Sequence, residues 1–340
     1  MKAKKILVTG GAGYIGAHTA VELINAGYDV AIVDNLSRSD KRLLEGIEKI
    51  TGKPVKFFEG DCRDRNFLLK VFQSEGPFSC VLHFAAYKAV GESVEKPLLY
   101  YENNLNSTIA LVEIMIKCGV TDFIFSSSCT VYGQPDQIPV SEAAPFKKAE
   151  SPYGATKQMS ERILEDVSRN NIRIITLRYF NPIGAHPSAL IGEIPLGTPN
   201  NLVPFITQTA VGVREKLTVF GNDYNTADGT CIRDYIHVVD LATAHVKAME
   251  YLSQQRETKF YEVFNVGTGI GVSVLELINR FKAVNNVELN YEIGSRRSGD
   301  IEKVFADPSK AMSSLGWAAK FTIDDSLLHA WQWEKKIRDK

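Results

Sequence analysis

The sequence predicts an α/β protein, a doubly wound parallel sheet carrying a smaller C-terminal α/β lobe. Three observations carry this prediction. The first half alternates short β-branched runs with longer helical patterns, the order of a parallel sheet covered on both faces. A glycine-rich turn, Gly10-Gly11-Ala12-Gly13-Tyr14-Ile15-Gly16, follows the first run and opens the first helical pattern. From about Asn181 the texture changes. Pro182, Pro187, Pro195, Pro199 and Pro204 crowd one stretch, with Gly184, Gly192 and Gly197 between them.

Lys5–Thr9, around Ile6-Leu7-Val8, reads as the first strand, and Tyr14–Ala26 as a helix stopped by Gly27. Asp29–Asp34 is the second strand, followed by a helical stretch around Asp40–Ile50. Val55–Glu59, Cys80–His83 and Asp122–Ser126 continue the strands, and Ile172–Tyr179 adds one more. Asn103–Cys118 and Pro152–Asn170 are the long helices among them. Residues 1–180 are thus expected to form a dinucleotide-binding domain. Residues 181–340 are expected to form a substrate lobe, with room for later segments to return to the first domain. The proline-rich stretch reads as loops, which in α/β enzymes carry binding groups. The charged tail, Glu334–Lys340, is expected to fray.

Composition bounds the function. The 340 residues can bury a large core, and 44% hydrophobic with 23% charged residues is ordinary for a globular chain. A net charge of −1 offers no electrostatic footprint for nucleic acid or an acidic membrane surface. No apolar run reaches bilayer length, and the basic start Met1–Lys5 precedes an apolar segment too short for a signal peptide. Cys62, Cys80, Cys118, Cys129 and Cys231 are scattered and odd in number, as expected of reduced thiols in the cytoplasm. The six histidines form no ligand spacing, so no metal is expected.

In the glycine turn, Gly10 allows the tight bend, Gly13 the approach of backbone to a pyrophosphate, and Gly16 close packing of helix on strand. The helix start beyond it, at Tyr14 and Ile15, offers unpaired N–H groups to phosphates. Asp34 ends the second strand, where a carboxylate accepts bonds from the adenosine ribose and repels a 2′-phosphate. NAD is therefore expected over NADP, with Arg38 as the counter-indication. Asp61 follows the third strand, where it reaches the adenine or, on the plainer reading, caps a helix. Phe84-Ala85-Ala86 follows the fourth, where small residues suit cofactor approach or tight packing alike.

The catalytic signal is Ser151-Pro152-Tyr153-Gly154-Ala155-Thr156-Lys157. Tyr153 and Lys157 sit one turn apart on one helix face, with proline at the helix start. A lone pair at this spacing is usually a solvated face. Here it follows a dinucleotide half and a serine-rich strand end, Ser126-Ser127-Ser128. Lys157 and a positively charged nicotinamide ring would favour the tyrosine phenolate. Tyr153 then takes a proton from a sugar hydroxyl, and one of the three serines steadies the same oxygen.

These residues resemble the extended short-chain dehydrogenase/reductase family, and within it the branch that epimerises UDP-hexoses at C4′. The resemblance spans nearly the whole chain. Besides the glycine turn and Tyr153/Lys157, its marks are Lys88-Ala89-Val90-Gly91-Glu92-Ser93, Tyr100-Tyr101-Glu102-Asn103-Asn104 and Ser126–Gly133. The most specific are Arg178–Ser188, beginning Arg-Tyr-Phe-Asn-Pro, and Asp228–His237.

The resemblance implies a Rossmann-type fold and Ser128 as the serine that acts. It implies NAD held by Gly10, Gly13, Tyr14, Ile15, Gly16, Asp34, Asn35, Asp61, Phe84, Ala85, Lys88, Asn103, Ser126, Tyr153, Lys157 and Tyr179. A UDP-hexose would meet Lys88, Ser128, Tyr153, Phe180, Asn181, Asn201, Leu202, Thr218, Phe220, Arg233, Arg297 and Asp300. Arg233 and Arg297 suit a diphosphate, and Phe220 a uracil ring. Arg233 paired with Asp234 or another carboxylate is the plainer alternative. The implied reaction is reversible C4′ epimerisation of UDP-glucose and UDP-galactose through a 4-keto sugar that turns over in the site. A homodimer is implied as well.

Two positions depart from the family pattern. Tyr87 is larger than expected and would crowd the sugar end. Val304, of modest size, would admit N-acetylated UDP-hexoses. Rival readings are a UDP-uronic acid 4-epimerase, a nucleotide-sugar 4,6-dehydratase and a non-catalytic NAD-binding sensor. The dehydratase needs an Asp-Glu pair where this chain has Cys129-Thr130, and the sensor would be expected to have lost Tyr153 or Lys157.

Overall fold

The computed structural model describes residues 4–297 and 300–339. Met1 to Ala3 of the basic start and Lys340 of the tail lie outside them. In chain order the elements of the first half are β1 (Lys5–Thr9), α1 (Tyr14–Asn25), β2 (Asp29–Asp34), α2 (Arg42–Thr51), β3 (Lys56–Glu59), α3 (Arg65–Glu75), β4 (Cys80–His83), α4 (Val90–Glu95), α5 (Pro97–Lys117), β5 (Asp122–Ser128), α6 (Pro152–Ser168) and β6 (Arg173–Tyr179). The second half holds β7 (Asn181–Ile183), α7 (Leu202–Ala210), β8 (Leu217–Phe220), β9 (Ile232–His237), α8 (Val238–Gln254), β10 (Phe260–Val266), β11 (Gly271–Ser273), α9 (Val274–Asn285), β12 (Tyr291–Gly294), β13 (Lys303–Val304), α10 (Ser309–Leu315) and α11 (Ile323–Arg338).

Seven parallel strands form the main sheet in the order β10-β6-β5-β4-β1-β2-β3. The order reverses between β1 and β4, and ligands of such sheets bind outside the strand ends at that reversal. Alternation along β1 explains its unbroken apolar run. Ile6 and Val8 enter the core shared with α1, α2 and α8, while Leu7 enters the core under α3, α5 and α6. After Tyr179 the chain builds a second lobe and also returns to the sheet. There α8 packs on α1 and β10 extends the edge at β6. The second lobe holds a small sheet of β11, β9 and β13 with β7 on β9, and the pair β12–β8.

Several boundaries differ from the sequence reading. The helix expected from Asn103 begins at Pro97, a residue suited to the first helical position. The strand expected to stop at Ser126 runs to Ser128, because Ser127 and Ser128 pair with Arg178 and Tyr179 of β6. The cap considered for Asp61 belongs to Asp64, which accepts from the amides of Asn66 and Phe67 and starts α3. The tail does not fray through Arg338. A capping box at Thr322 and Asp325 starts α11, and buried Glu334 accepts from the Thr207 hydroxyl at 3.1 Å and from Arg338 at 2.9 Å.

Candidate active site

The glycine turn lies at the end of β1, and sterics dictate two of its glycines. Gly10 has φ +71°, and a Cβ on it would lie 2.6 Å from the Ala85 nitrogen. A Cβ on Gly16 would lie 2.3 Å from the Gly10 oxygen. On Gly13, the N-cap of α1, a Cβ would meet only the Gly10 oxygen, at 3.1 Å. The protein itself therefore tolerates bulk at Gly13 far better than at its neighbours.

Gly10, Gly13, Asp34, Asn35, Asp61, Phe84, Ala85 and Asn103 line one cleft, together with Ser37, Arg38, Ser39 and Tyr87. Asp34 is buried and accepts from the Ala12 amide (3.1 Å), the Leu36 amide (2.9 Å) and the Ser39 hydroxyl (2.6 Å). Two of these bonds fall on Oδ1 and one on Oδ2, so acceptor capacity remains. Burial pushes the Asp34 carboxyl up, and its three donors pull it back. Asp61 is held below the usual carboxylate range, chiefly by hydrogen bonding from Arg63, and it accepts from Asn35 at 3.2 Å.

Arg38, the counter-indication to NAD, donates to both oxygens of Glu92, at 2.7 and 2.9 Å. Its guanidinium lies 4.9 Å from the centre of the Tyr87 ring. Tyr87 thus borders this cleft. Its amide donates to Asn104 at 2.8 Å, and its ring lies against Arg38 and Tyr100.

Ser151 caps α6 by accepting from the Gly154 amide at 3.2 Å, and Pro152 occupies the first helical position. Tyr153 and Lys157 then face the end of β5. The three serines separate by partner. Ser128 lies beside Tyr153 and accepts from the Thr130 amide at 3.3 Å, Ser127 donates to Glu161, and the Ser126 carbonyl accepts from Lys157 Nζ at 2.5 Å.

Burial pushes the Tyr153 phenol up to about 12, against the lowering influence of nearby Ser128. Burial pulls the Lys157 ammonium down to about 8, against the nearby Glu161 carboxylate. Lys157 Nζ lies 5.9 Å from the Tyr153 ring centre and donates to Ser126. The expected pull of Lys157 toward phenolate is therefore not what dominates in the chain alone.

The remaining residues fall into smaller groups. Tyr14 donates to the Gly184 carbonyl at 2.7 Å, tying the start of α1 to the second lobe, and Ile15 packs half-buried beside it. The Tyr179 hydroxyl pairs with His245. Lys88 Nζ and Asn201 Nδ2 both donate to Glu193 Oε1, each at 2.8 Å. Sequence reasoning missed Glu193, which sits in the proline-rich loop with no local pattern to mark it. Leu202 opens α7 immediately after Asn201.

In the second lobe Phe220 is 44% exposed at the end of β8, with Arg297 5.6 Å from its ring centre. Arg297 donates to Asp300 at 2.8 Å, and Arg233 on β9 approaches the same carboxylate at 3.9 Å. Asp234 does not take Arg233. Its buried carboxylate accepts from Thr268, Gly269 and Ala306. Thr218 lies on β8 two residues before Phe220, and Asn181 on β7 pairs Tyr235 of β9. Phe180 and Val304 share a small apolar cluster with Val131, Tyr132, Val140 and Ala306. Among the described residues no His/Cys/Asp/Glu group is arranged for a metal.

A glycine turn at the sheet reversal, with serine, tyrosine and lysine gathered at the end of β5 two strands away, defines an extended short-chain dehydrogenase/reductase. A family model described as GDP-mannose 4,6 dehydratase matches residues 7–329. The UDP-glucose 4-epimerase of Bacillus subtilis is 51% identical over 331 residues, covering 97% of this chain and 96% of that protein. The UDP-glucose 4-epimerase of Haemophilus influenzae is 49% identical over 332 residues, 97% of each chain. Among solved structures, the UDP-glucose 4-epimerase of Bifidobacterium longum in complex with NAD+ and UDP superposes with a TM-score of 0.94 at 47% identity, covering 99% of both chains. The chain belongs to the UDP-glucose 4-epimerase family.

Proposed function

We propose that this protein is an NAD-dependent isomerase that interconverts UDP-glucose and UDP-galactose at C4′. The observation that carries the reading is the gathering of Ser128, Tyr153 and Lys157 at the end of β5, two strands from β1 and its glycine turn. The cleft fits the cofactor on two counts. Gly13 is the turn glycine that the protein's own packing demands least, and Asp34 keeps acceptor capacity for ribose hydroxyls. Arg38 is spent on Glu92, which argues against a 2′-phosphate.

NAD, held by the glycine turn and Asp34, would supply a reversible acceptor for the C4′ hydride. The chain handles the proton. Tyr153 takes it from the 4′-hydroxyl and gives it back, Ser128 donates to the same oxygen, and Lys157 supplies positive charge to that wall. Lys88 and Asn103 belong to the cofactor side. Asn181, Asn201, Leu202, Thr218, Phe220, Arg233, Arg297 and Asp300 hold the UDP end, leaving the hexose free to turn.

Dehydratase chemistry is disfavoured at Cys129-Thr130. Burial pushes the Cys129 thiol up to about 12, and the buried Thr130 hydroxyl has no partner. Neither group can trade protons near neutrality. Among the described residues no helix is long and apolar enough to cross a membrane. Five free cysteines favour a cytoplasmic location. A homodimer through α5 and α6 completes the reading.

The test is incubation of the purified protein with UDP-galactose and, separately, UDP-N-acetylgalactosamine, without reductant, and identification of the products. Both are expected to yield gluco epimers, the second because Val304 is small. Conversion of UDP-galactose alone removes the Val304 argument. Conversion of neither removes the epimerase reading.

A further inference from the structure

Tyr153, Lys157 and Glu161 succeed one another by single turns along α6 and form one polar stripe. The last three residues of β5 meet this stripe one for one. Ser128 lies beside Tyr153, the Ser126 carbonyl takes the Lys157 ammonium, and the Ser127 hydroxyl donates to Glu161. The first two contacts belong to the reacting groups, and the third has no role in the chemistry above.

Glu161 is nonetheless the best-anchored member. Arg178 grips it from β6, with Nη2 at 2.7 Å and Nε at 3.1 and 3.2 Å from its oxygens. Arg178 is the cross-strand partner of Ser127, so two paired strands reach the same carboxylate. Its Nη1 donates to the Tyr132 hydroxyl at 2.9 Å, and Tyr132 donates on to Asn265 at 2.6 Å. Tyr132 closes the short 3-10 turn that Ser128 begins, so this network also clamps the segment following Ser128.

The ion pair is almost sealed, with side-chain exposures of 6% for Arg178 and 2% for Glu161. Two charges removed from water rarely stabilise a fold more than apolar residues of similar shape would. Stability alone therefore does not account for a buried pair here, one turn from Lys157.

We propose that Glu161 is a positioning residue for the proton-handling set. Its carboxylate, oriented by Arg178, fixes α6 in register against the end of β5, and its charge offsets the burial of the Lys157 ammonium. Other groups face Lys157 as well: His83 from β4, the Phe125 ring from β5, Tyr153 on α6 and the Tyr179 hydroxyl beside Ser126. Burial holds His83 well below its ordinary value, so it is neutral near pH 7. Glu161 is the nearby anion that supports Lys157.

The inference rests on the epimerase reading, and its test separates the two. Glu161→Gln keeps an acceptor for Ser127 and removes the charge. Its kcat on UDP-galactose is expected to fall roughly tenfold or more, with KM changed by less than about twofold. Glu161→Asp, which keeps the charge, should recover part of the loss. In protein labelled with ε-13C-lysine, the Lys157 resonance, assigned by its absence in Lys157→Arg, should titrate at lower pH in Glu161→Gln than in the wild type. Unchanged kcat per folded molecule together with an unchanged Lys157 midpoint overturns the proposal, even if Tm falls. If Glu161→Gln does not fold, Ser127→Ala decides: a lowered kcat at constant KM supports the proposal, and wild-type kcat overturns it. A wild type inactive on UDP-galactose defeats the functional reading alone, because the Lys157 titration still tests the positioning role.

Discussion

Burial sets the charge states of the groups on the reacting face of α6, and the consequences can be measured apart from activity. The folded Lys157 titrates near 8, against 10.5 for an unburied lysine. Between those values the unfolded chain holds a proton that the folded chain lacks, so stability rises with pH across that window. Below it both states carry the proton, and the cost of burying the ammonium is constant. Lys157→Met removes this dependence. Between about pH 7 and about pH 9.5 the wild type should gain stability relative to Lys157→Met, by at most about 1.4 kcal/mol for each pH unit inside the window. Urea unfolding of both proteins at the two pH values measures it. A constant difference would mean that Lys157 titrates in the folded protein as it does in the unfolded chain.

The element that opens the cofactor cleft separates what the fold needs from what a ligand needs. Gly16→Ala forces a Cβ to within 2.3 Å of the Gly10 oxygen, a backbone atom that cannot swing aside. It should destabilise by about 1–3 kcal/mol or prevent folding. Gly13→Ala meets one atom at 3.1 Å and should fold with nearly wild-type Tm while binding NAD more weakly. Thermal unfolding and calorimetric NAD titration distinguish the two, and wild-type NAD affinity in Gly13→Ala would remove that glycine from the cofactor site. Such local elements were the legible part of the sequence. A glycine turn, a proline at a helix start and an unbroken apolar strand each record their geometry within a few residues. The choice among Ser126, Ser127 and Ser128 was not legible from the residues alone, because it depends on how the pleat of β5 meets the turns of α6. Glu193 was hidden for a related reason: its Lys88 partner is 105 residues away, and no local pattern announces the pair.

At the scale of the whole molecule, the two lobes are sewn together by contacts of long sequence separation. Tyr14 reaches Gly184 and Lys88 reaches Glu193, and the Trp333 indole on α11 donates to the Glu193 carbonyl at 2.8 Å. After residue 180 the chain is expected to form a smaller lobe. The return of α8 and β10 to the main sheet follows from pairing that no single segment encodes. Among the described residues one helical face is apolar and exposed. Leu98 and Ile116 lie 18 residues apart on α5, a whole number of turns, and are 80% and 51% exposed. Between them Tyr101, Leu105 and Ile109 continue the stripe at helical spacing, each only partly covered. Val94 on α4 and Met159 on α6, which packs beside α5, are 61% and 45% exposed. An apolar stripe about 27 Å long on adjoining helices suits a second copy of the same helices, packed as a bundle about a two-fold axis. Sedimentation equilibrium at micromolar concentration should therefore give a dimer. Leu105→Arg places a charge at the middle of the stripe and should shift the protein toward monomer while leaving its circular dichroism unchanged. A monomeric wild type, or a dimer indifferent to Leu105→Arg, would leave these helices without a role in self-association.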